Sequence, residues 1–493
     1  MPANAVVIGV DSSTQSTKAV FTDAATGRPL AIGRAPHRVD GEGGARETDP
    51  EVWWRALREA VATGLKELAA VGVDASAVTG IAVAGQQHGL VVLDRTGAPL
   101  RPALLWNDTR SAPQAAALTE ALGGPDAWTA RTGSVPVASM TAAKWQWLRE
   151  NEPACAEAAA AVRLPHDFLT ERLAGVAATD PGDASGTCWY STATGAYDPG
   201  LLGLVGLDAA LLPQVAATGG TRVGALTTAS ASALGLQAGT AVAAGTGDNM
   251  AAAVGLGLGG EGLLNHPVLS LGTSGTVFAA SRTRPASPLL AGFAAADGTY
   301  LPLACTLNCT LAVDKVAALL GLDRDAAEAG GELVVLPYLD GERTPDLPAA
   351  AGLLTGLRHT TTRQQILGAA YEGAVVTVLR ALDEVLRACG EDPAAPEAAS
   401  RPLRLVGGGA QGRHWVETVR RLSGRPLLIP DNTELVALGA AALAASAATG
   451  EDAVSVATTW GTEGRELPPL ERDMETWERV TSVLDRATPS LLT

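Results

Sequence analysis

The chain has 493 residues, 47% apolar and 18% charged: long enough to bury a large core without disulfide or metal staples, and too apolar to be disordered. Its 52 acidic residues against 36 basic ones leave a formal charge of −16. That excludes nonspecific binding to nucleic acid or an anionic membrane, but not local capture of a nucleotide by backbone N–H groups, a metal and a few placed cations.

In chain order, Val6 to Val10 is a short apolar run without polar alternation, which predicts a central strand covered on both faces. The polar turn SSTQST follows Asp11, then a second strand in KAVFTD and a third from Pro29. The period turns helical after Asp49, a capping residue with Pro50 at the first helical position. Two further strands lead to Gln86-Gln87-His88-Gly89, and a long helical stretch carries KWQWLREN. At Leu269 the opening plan returns, as LSLGTSGTVF: apolar strand, Gly/Ser/Thr turn, apolar strand. This repeat predicts two similar domains, each headed by a hairpin whose turn suits phosphate. The alanine-rich run Leu435 to Thr449 is too short to span a bilayer and predicts a buried helix. Leu470 to Arg486 reads as one amphipathic, acidic helix.

Five cysteines without a CxxC pair give no disulfide framework and point to a reducing compartment. Cys305 and Cys309, four apart, are expected as small buried residues on one helix face. The opening apolar run is too short for a secretory signal, so a cytoplasmic protein is expected.

Five constellations carry chemistry. Asp11, at a strand end beside a hydroxyl-rich turn and Lys18, suits a Mg-nucleotide site: the carboxylate holds Mg²⁺ through water, and Thr14, Ser16 and Thr17 face phosphate oxygens. Leu271 to Thr276 (LGTSGT) lets backbone approach a phosphate, while the absence of GxxxxGK[ST] excludes a P-loop kinase. Gly407 to Gly412 formally satisfies GxGxxG, with Asp431 after the next strand; a dinucleotide fingerprint and an ATP-binding helix N-terminus both fit it. Asp248, in the glycine-flanked turn GTGDN, suits a helix cap and a base for an attacking hydroxyl, two roles that do not exclude each other. Gln87 and His88, with Trp106 and Asn107 downstream, make a polyol pocket of amides beside an indole.

With all five in this order, and with SMTAAKWQWLREN and GLLTGLRHTTTRQQILGAAYE between them, nearly the whole chain resembles the FGGY family of carbohydrate kinases. The resemblance implies an α/β fold of two ribonuclease-H-like, actin-like ATPase domains with a catalytic cleft between them. Residues 1–244 would bind sugar and 245–493 ATP. It implies Asp248 as general base and Asp11 as the Mg-ATP carboxylate. Gln87, His88, Trp106, Asn107 and Asn249 would hold the sugar; Ser13, Thr14, Lys18, Gly272, Thr273, Gly408, Gly409 and Gln411 would hold ATP. A sugar and Mg-ATP are then the small-molecule partners, with neither nucleic acid nor membrane, and a homodimer is in keeping with the family. GQQHG, LLWNDTRS, LPHDFLTERLAG, DASGT, GTGDN, SLGTSGT and YLDGERTP resemble the subgroup acting on D-xylulose. Two departures stand out: Gln87 where methionine is frequent, and Ser13 where glycine is frequent. Other readings stay open at this level: a kinase of ribulose, glycerol or gluconate, an NAD-dependent dehydrogenase, or a non-catalytic actin-like sugar sensor.

Overall fold

The computed structural model describes residues 5–260, 264–345, 347, 349–461 and 464–487. The first half is organised by strands β1 (Val6–Ser12), β2 (Ser16–Asp23), β3 (Pro29–Pro36), β4 (Val78–Gly85), β5 (Arg222–Ala225), β6 (Ala241–Ala243) and the short β7 (Thr246–Gly247). Their order is β5-β6-β4-β1-β2-β3, with β7 also on β4. β1, β4 and β6 run parallel; β2, β3 and β5 are antiparallel to their neighbours.

The second half repeats this plan. Strands β8 (Val268–Leu271), β9 (Gly275–Phe278), β10 (Ala291–Ala294), β11 (Tyr300–Thr306), β12 (Leu403–Val406), β13 (Leu427–Pro430) and β14 (Gly464–Leu467) lie in the order β10-β11-β9-β8-β12-β13-β14. β8, β12 and β13 are parallel, the others antiparallel. The repeat read from two turns is thus a repeat of whole sheets. A dinucleotide fold needs an open, mostly parallel sheet at its glycine turn. The antiparallel meander β8-β9-β11-β10 beside Gly407 to Gly412 does not provide one, so the dehydrogenase reading falls.

β1 is buried along its whole length. Its side chains alternate, so Val6, Ile8 and Val10 join Trp53 and Leu57 of helix α1 (Pro50–Ala70), while Val7 belongs to the core on the opposite face. Asp49 caps α1, accepting from the Glu51 N–H at 3.0 Å. Along the first half, α2 (Thr141–Asn151) packs on neighbouring helices, α3 (Pro165–Ala174) packs against β4, β5 and β6, and α4 (Asp248–Gly255) starts where β7 ends. In the second half come α5 (Thr310–Leu320), the long α6 (Arg363–Ala388), α7 (Arg413–Ser423), α8 (Leu435–Thr449) and α9 (Met474–Arg486).

Helix α8 crosses back onto the first sheet. A Cβ at Gly9 would collide with the Ala437 carbonyl, and one at Gly439 with the Ala251 carbonyl of α4. Glycine and alanine let these backbones touch, which explains a helix of small residues that is apolar all round.

Three local expectations change. Cys305 lies within the strand Tyr300–Thr306 and is only half-buried, while the buried Cys309 precedes α5, so they share no helix face. Asp248 is not a cap: Gly247 is, and Asp248 opens the helix. The last helix starts at Met474, with Asp473 capping through the Thr476 N–H at 2.9 Å. Among the described residues no helix is long and apolar enough to cross a membrane.

Candidate active site

In open α/β sheets, ligands gather beyond the carboxyl ends of the parallel strands. Asp11 closes β1, Gln86 to His88 follow β4, and Gly245 to Asp248 follow β6. In the second sheet the Gly272–Ser274 turn follows β8 and Gly407 to Gln411 follow β12. A cavity of about 560 Å³ joins the two halves, within the usual range of small-ligand sites. Gln87, His88, Trp106, Asp248 and Asn249 line it from the first half and α4; Ser274, Thr276, Cys305 and Arg343 line it from the second.

Asp248 is held by α4's first turn: its Oδ1 accepts from the Asn249 N–H at 2.8 Å and from Asn249 Nδ2 at 3.1 Å. Burial, then the nearby charges of Asp11 and Asp183, push its carboxyl up to about 7. A carboxylate so tuned takes a proton near neutral pH.

Asn249 Nδ2 also donates to Gln87 Oε1 at 2.8 Å. That fixes the Gln87 amide and leaves its buried Nε2 as a donor without a protein partner. His88 has a left-handed backbone, φ 66°, a conformation that carries strain outside glycine. Its ring lies 5.5 Å from that of Phe293. Burial, then the charges of Lys144 and Arg343, lower His88 to about 3, so it is a neutral hydrogen-bonding group. Trp106 lines the cavity and donates from Nε1 to Thr14 Oγ1 at 3.0 Å, tying the first hairpin turn to the cavity wall. Asn107 does not line the cavity; its Oδ1 is buried and unpaired.

The first hairpin turn differs in detail from the expectation. Thr17 is buried and pairs with Ser12 at 3.3 Å, so it faces the core. Ser13 turns without a positive φ, its hydroxyl donating to the Ser16 carbonyl at 2.9 Å. Lys18 Nζ sits 2.5 Å from Glu434 Oε2 and 3.6 Å from Asp11 Oδ2. It is therefore held between two carboxylates. Glu434, at the head of α8, lies too far along the chain for spacing to have linked it to Lys18.

Asp11 keeps Oδ1 buried and without a partner, and desolvation raises its pKa against the opposing pull of Lys18. Among the described residues no cluster of three His, Cys, Asp or Glu offers a ready-made metal cage. One buried carboxylate oxygen without a partner fits Mg²⁺, which keeps most of its waters and takes few protein ligands.

In the turn after β12, Gly407 has φ 84° and Gly408 has open space where a side chain would be. A Cβ on Gly409 would meet Leu271 Cβ at 2.7 Å, so this glycine lets the loop sit against β8. Gln411 is exposed at the turn's end. The Gly272 carbonyl accepts from the Thr310 N–H at 3.1 Å and hydroxyl at 2.8 Å, leaving Thr273 exposed at the tip.

Behind the base lies a group that no single motif had revealed. His166 Nδ1 is 2.7 Å from Asp183 Oδ2, and its Nε2 is 3.2 Å from Asp167 and 3.9 Å from Asp180. Despite burial, those three carboxylates raise His166 to about 9. Asp180 accepts from Thr246 Oγ1 at 2.7 Å, just ahead of Asp248. The segments LPHDF and DASGT supply His166, Asp167 and Asp183, so part of the signal was present without a role attached to it, whereas Asp180 lies just ahead of DASGT.

Models of the FGGY family of carbohydrate kinases match in both parts, the N-terminal domain over residues 6–255 and the C-terminal domain over 268–448. The chain belongs to the FGGY family of carbohydrate kinases. Its FGGY relatives include the xylulose kinase of Streptomyces coelicolor, 57% identical over 489 residues, 99% of this chain and 97% of that one. The crystal structure of xylulose kinase from Bifidobacterium adolescentis superposes with a TM-score of 0.83 at 33% identity, covering 98% and 99% of the two chains. The gluconate kinase of Lactobacillus acidophilus gives a TM-score of 0.88 at 19% identity, covering 100% and 99%. The FGGY fold is thus shared across family members named for different sugars, and the sugar has to be argued from the cavity and the nearer relatives.

Proposed function

We propose that this FGGY kinase transfers the γ-phosphoryl group of ATP to the terminal hydroxyl of D-xylulose, giving ADP and D-xylulose 5-phosphate. The observation that carries the reading is Asp248, a carboxyl tuned to about 7 that shares one cavity with the fixed amides of Gln87 and Asn249. The 57% relative named xylulose kinase supports the choice of sugar. In this reading residues 1–244 supply most of the sugar site and residues 245–493 most of the ATP site, with α4 and α8 joining them.

Asp248 takes the proton of the attacking hydroxyl. Asn249 and Gln87 hold neighbouring hydroxyls, His88 offers a neutral ring nitrogen, and Trp106 covers a C–H face of the sugar. The glycine turns at Gly272–Thr273 and Gly408–Gly409, with Gln411, bring backbone N–H groups to the phosphates and adenosine. Ser13 and Thr14 shape the first turn, and Lys18 orients Asp11. Asp11 would hold Mg²⁺ through water, and the ion when bound neutralises phosphate charge. Transfer of this kind rests on positioning and charge neutralisation. ATP and a free sugar as substrates fit a cytoplasmic enzyme.

ADP release from Mg-ATP, measured with D-xylulose, D-ribulose, L-ribulose, glycerol and gluconate, tests the reading. Release with D-xylulose well above the others, abolished by EDTA, is expected. Release with gluconate or glycerol but not D-xylulose would move the substrate while leaving the family intact.

A further inference from the structure

The reaction carries an anionic phosphoryl group into a cavity of a strongly acidic protein, so the cations that meet it there decide how well it is held. Among the described residues, Arg343 is the only lysine or arginine lining the cavity, as Asp248 is the only aspartate or glutamate. Lys18, the cation that the sequence had suggested, is held by Glu434 and Asp11.

The backbone under Arg343 is fixed from several sides. Glu342 is buried; its Oε1 accepts from the Leu307 N–H at 2.5 Å and the Arg343 N–H at 2.8 Å, and its Oε2 from the Asn308 N–H at 3.2 Å. Asn308 Nδ2 donates to the Gly341 carbonyl at 2.7 Å, and Asn308 Oδ1 accepts from the Leu339 N–H at 3.0 Å. Arg343 is thereby clamped to the connection between β11 and α5, beside Ser274 and Thr276 of the second hairpin. It shares the cavity with His88 from the first half and Cys305 from the second, so it lies where the two halves meet. A guanidinium on a preset backbone matches phosphate oxygens in a two-pronged way, whereas a neutral sugar gives it no charge to pair with.

We propose that Arg343 grips the phosphoryl group in transit and then the phosphate of the sugar product. The sugar's terminal oxygen bonds to the γ-phosphorus as the bond to the ADP bridging oxygen breaks, the hydroxyl proton passes to Asp248, and Arg343 pairs with the equatorial oxygens throughout. The inference rests on the kinase reading above and names a phosphate-binding residue that this reading does not require.

The test measures the wild type and Arg343→Ala, Arg343→Gln and Arg343→Lys for binding of D-xylulose and of D-xylulose 5-phosphate by calorimetry, and for kcat with Mg-ATP. The Ala and Gln variants are expected to bind the sugar as the wild type does, to bind the sugar phosphate about tenfold or more weakly, and to lose about 10²–10³-fold in kcat. Lys is expected to recover part of both losses because it keeps the charge. If Ala fails to fold, the Gln and Lys pair carries the same comparison. Equal weakening of sugar and sugar phosphate, or no change in either, overturns the proposal. A wild type that turns over D-xylulose while the variants bind sugar phosphate normally sinks the Arg343 assignment alone; a wild type that phosphorylates no sugar sinks both.

Discussion

The carboxyl of Asp248 provides the most quantitative prediction. Its proton affinity is raised to about 7 by burial and by the facing carboxylates of Asp11 and Asp183, while bonds from Asn249 oppose the rise. A base works only when ionised, and kcat/KM reports the free enzyme. For one group titrating near 7, the ionised fraction rises about tenfold between about pH 6 and pH 8, and kcat/KM should follow it. Asp183→Asn removes one of the two repelling charges without touching the cavity. His166 keeps Asp167 at 3.2 Å and Asp180 at 3.9 Å, and the new amide still reaches Nδ1. With less repulsion Asp248 ionises more readily, so the acid limb should move to lower pH. The assay is coupled ADP release at subsaturating sugar over this range for both proteins, with ATP and Mg²⁺ saturating. A flat wild-type profile, or an acid limb that moves to higher pH in the variant, would refute the reasoning.

Three further outcomes follow from the same geometry. Gln87→Met removes the free amide donor and keeps the bulk, so KM for D-xylulose should rise roughly fivefold, about 1 kcal/mol, with kcat little altered; an unchanged KM would show that Nε2 meets no substrate atom. Gly439→Ala drives a methyl into the Ala251 carbonyl of the helix that carries Asp248. It should destabilise the fold by about 1–3 kcal/mol in denaturant unfolding and lower kcat with it, and a variant of wild-type stability would contradict the packing. His166 has its folded-state pKa raised from 6.5 to about 9 by Asp167, Asp183 and Asp180. Its stabilisation is therefore full below 6.5 and lost as pH rises towards 9; His166→Gln should flatten that decline in thermal melts, and an unchanged slope would assign it elsewhere.

What the sequence revealed and what it hid divide along physical lines. The turns at Asp11, Gly272 and Gly407 and the opening of α4 at Asp248 were legible because each follows a short, largely apolar strand with residues of special backbone or hydroxyl chemistry. The sheet repeat was legible for the same reason. Helix α8 was legible as a buried helix, but not its place on the first sheet: an all-apolar helix has no polar face to orient it, and only Gly9 and Gly439 mark where it touches. The pairing of Lys18 with Glu434 was hidden because it joins the first hairpin to the last third of the chain. Cys305 and Cys309 had helical spacing, yet the strand Tyr300–Thr306 ends between them. For the final helix, Pro468 and Pro469 with the capping Asp473 already told against a start at Leu470.

The most direct test of the central claim is single-turnover phosphorylation of D-xylulose by Mg-ATP, comparing the wild type with Asp248→Asn at equal folded concentration. The account predicts sugar-dependent formation of D-xylulose 5-phosphate by the wild type and a loss of about 10²–10⁴-fold in the variant, with sugar binding retained. Turnover by Asp248→Asn close to wild type would contradict it.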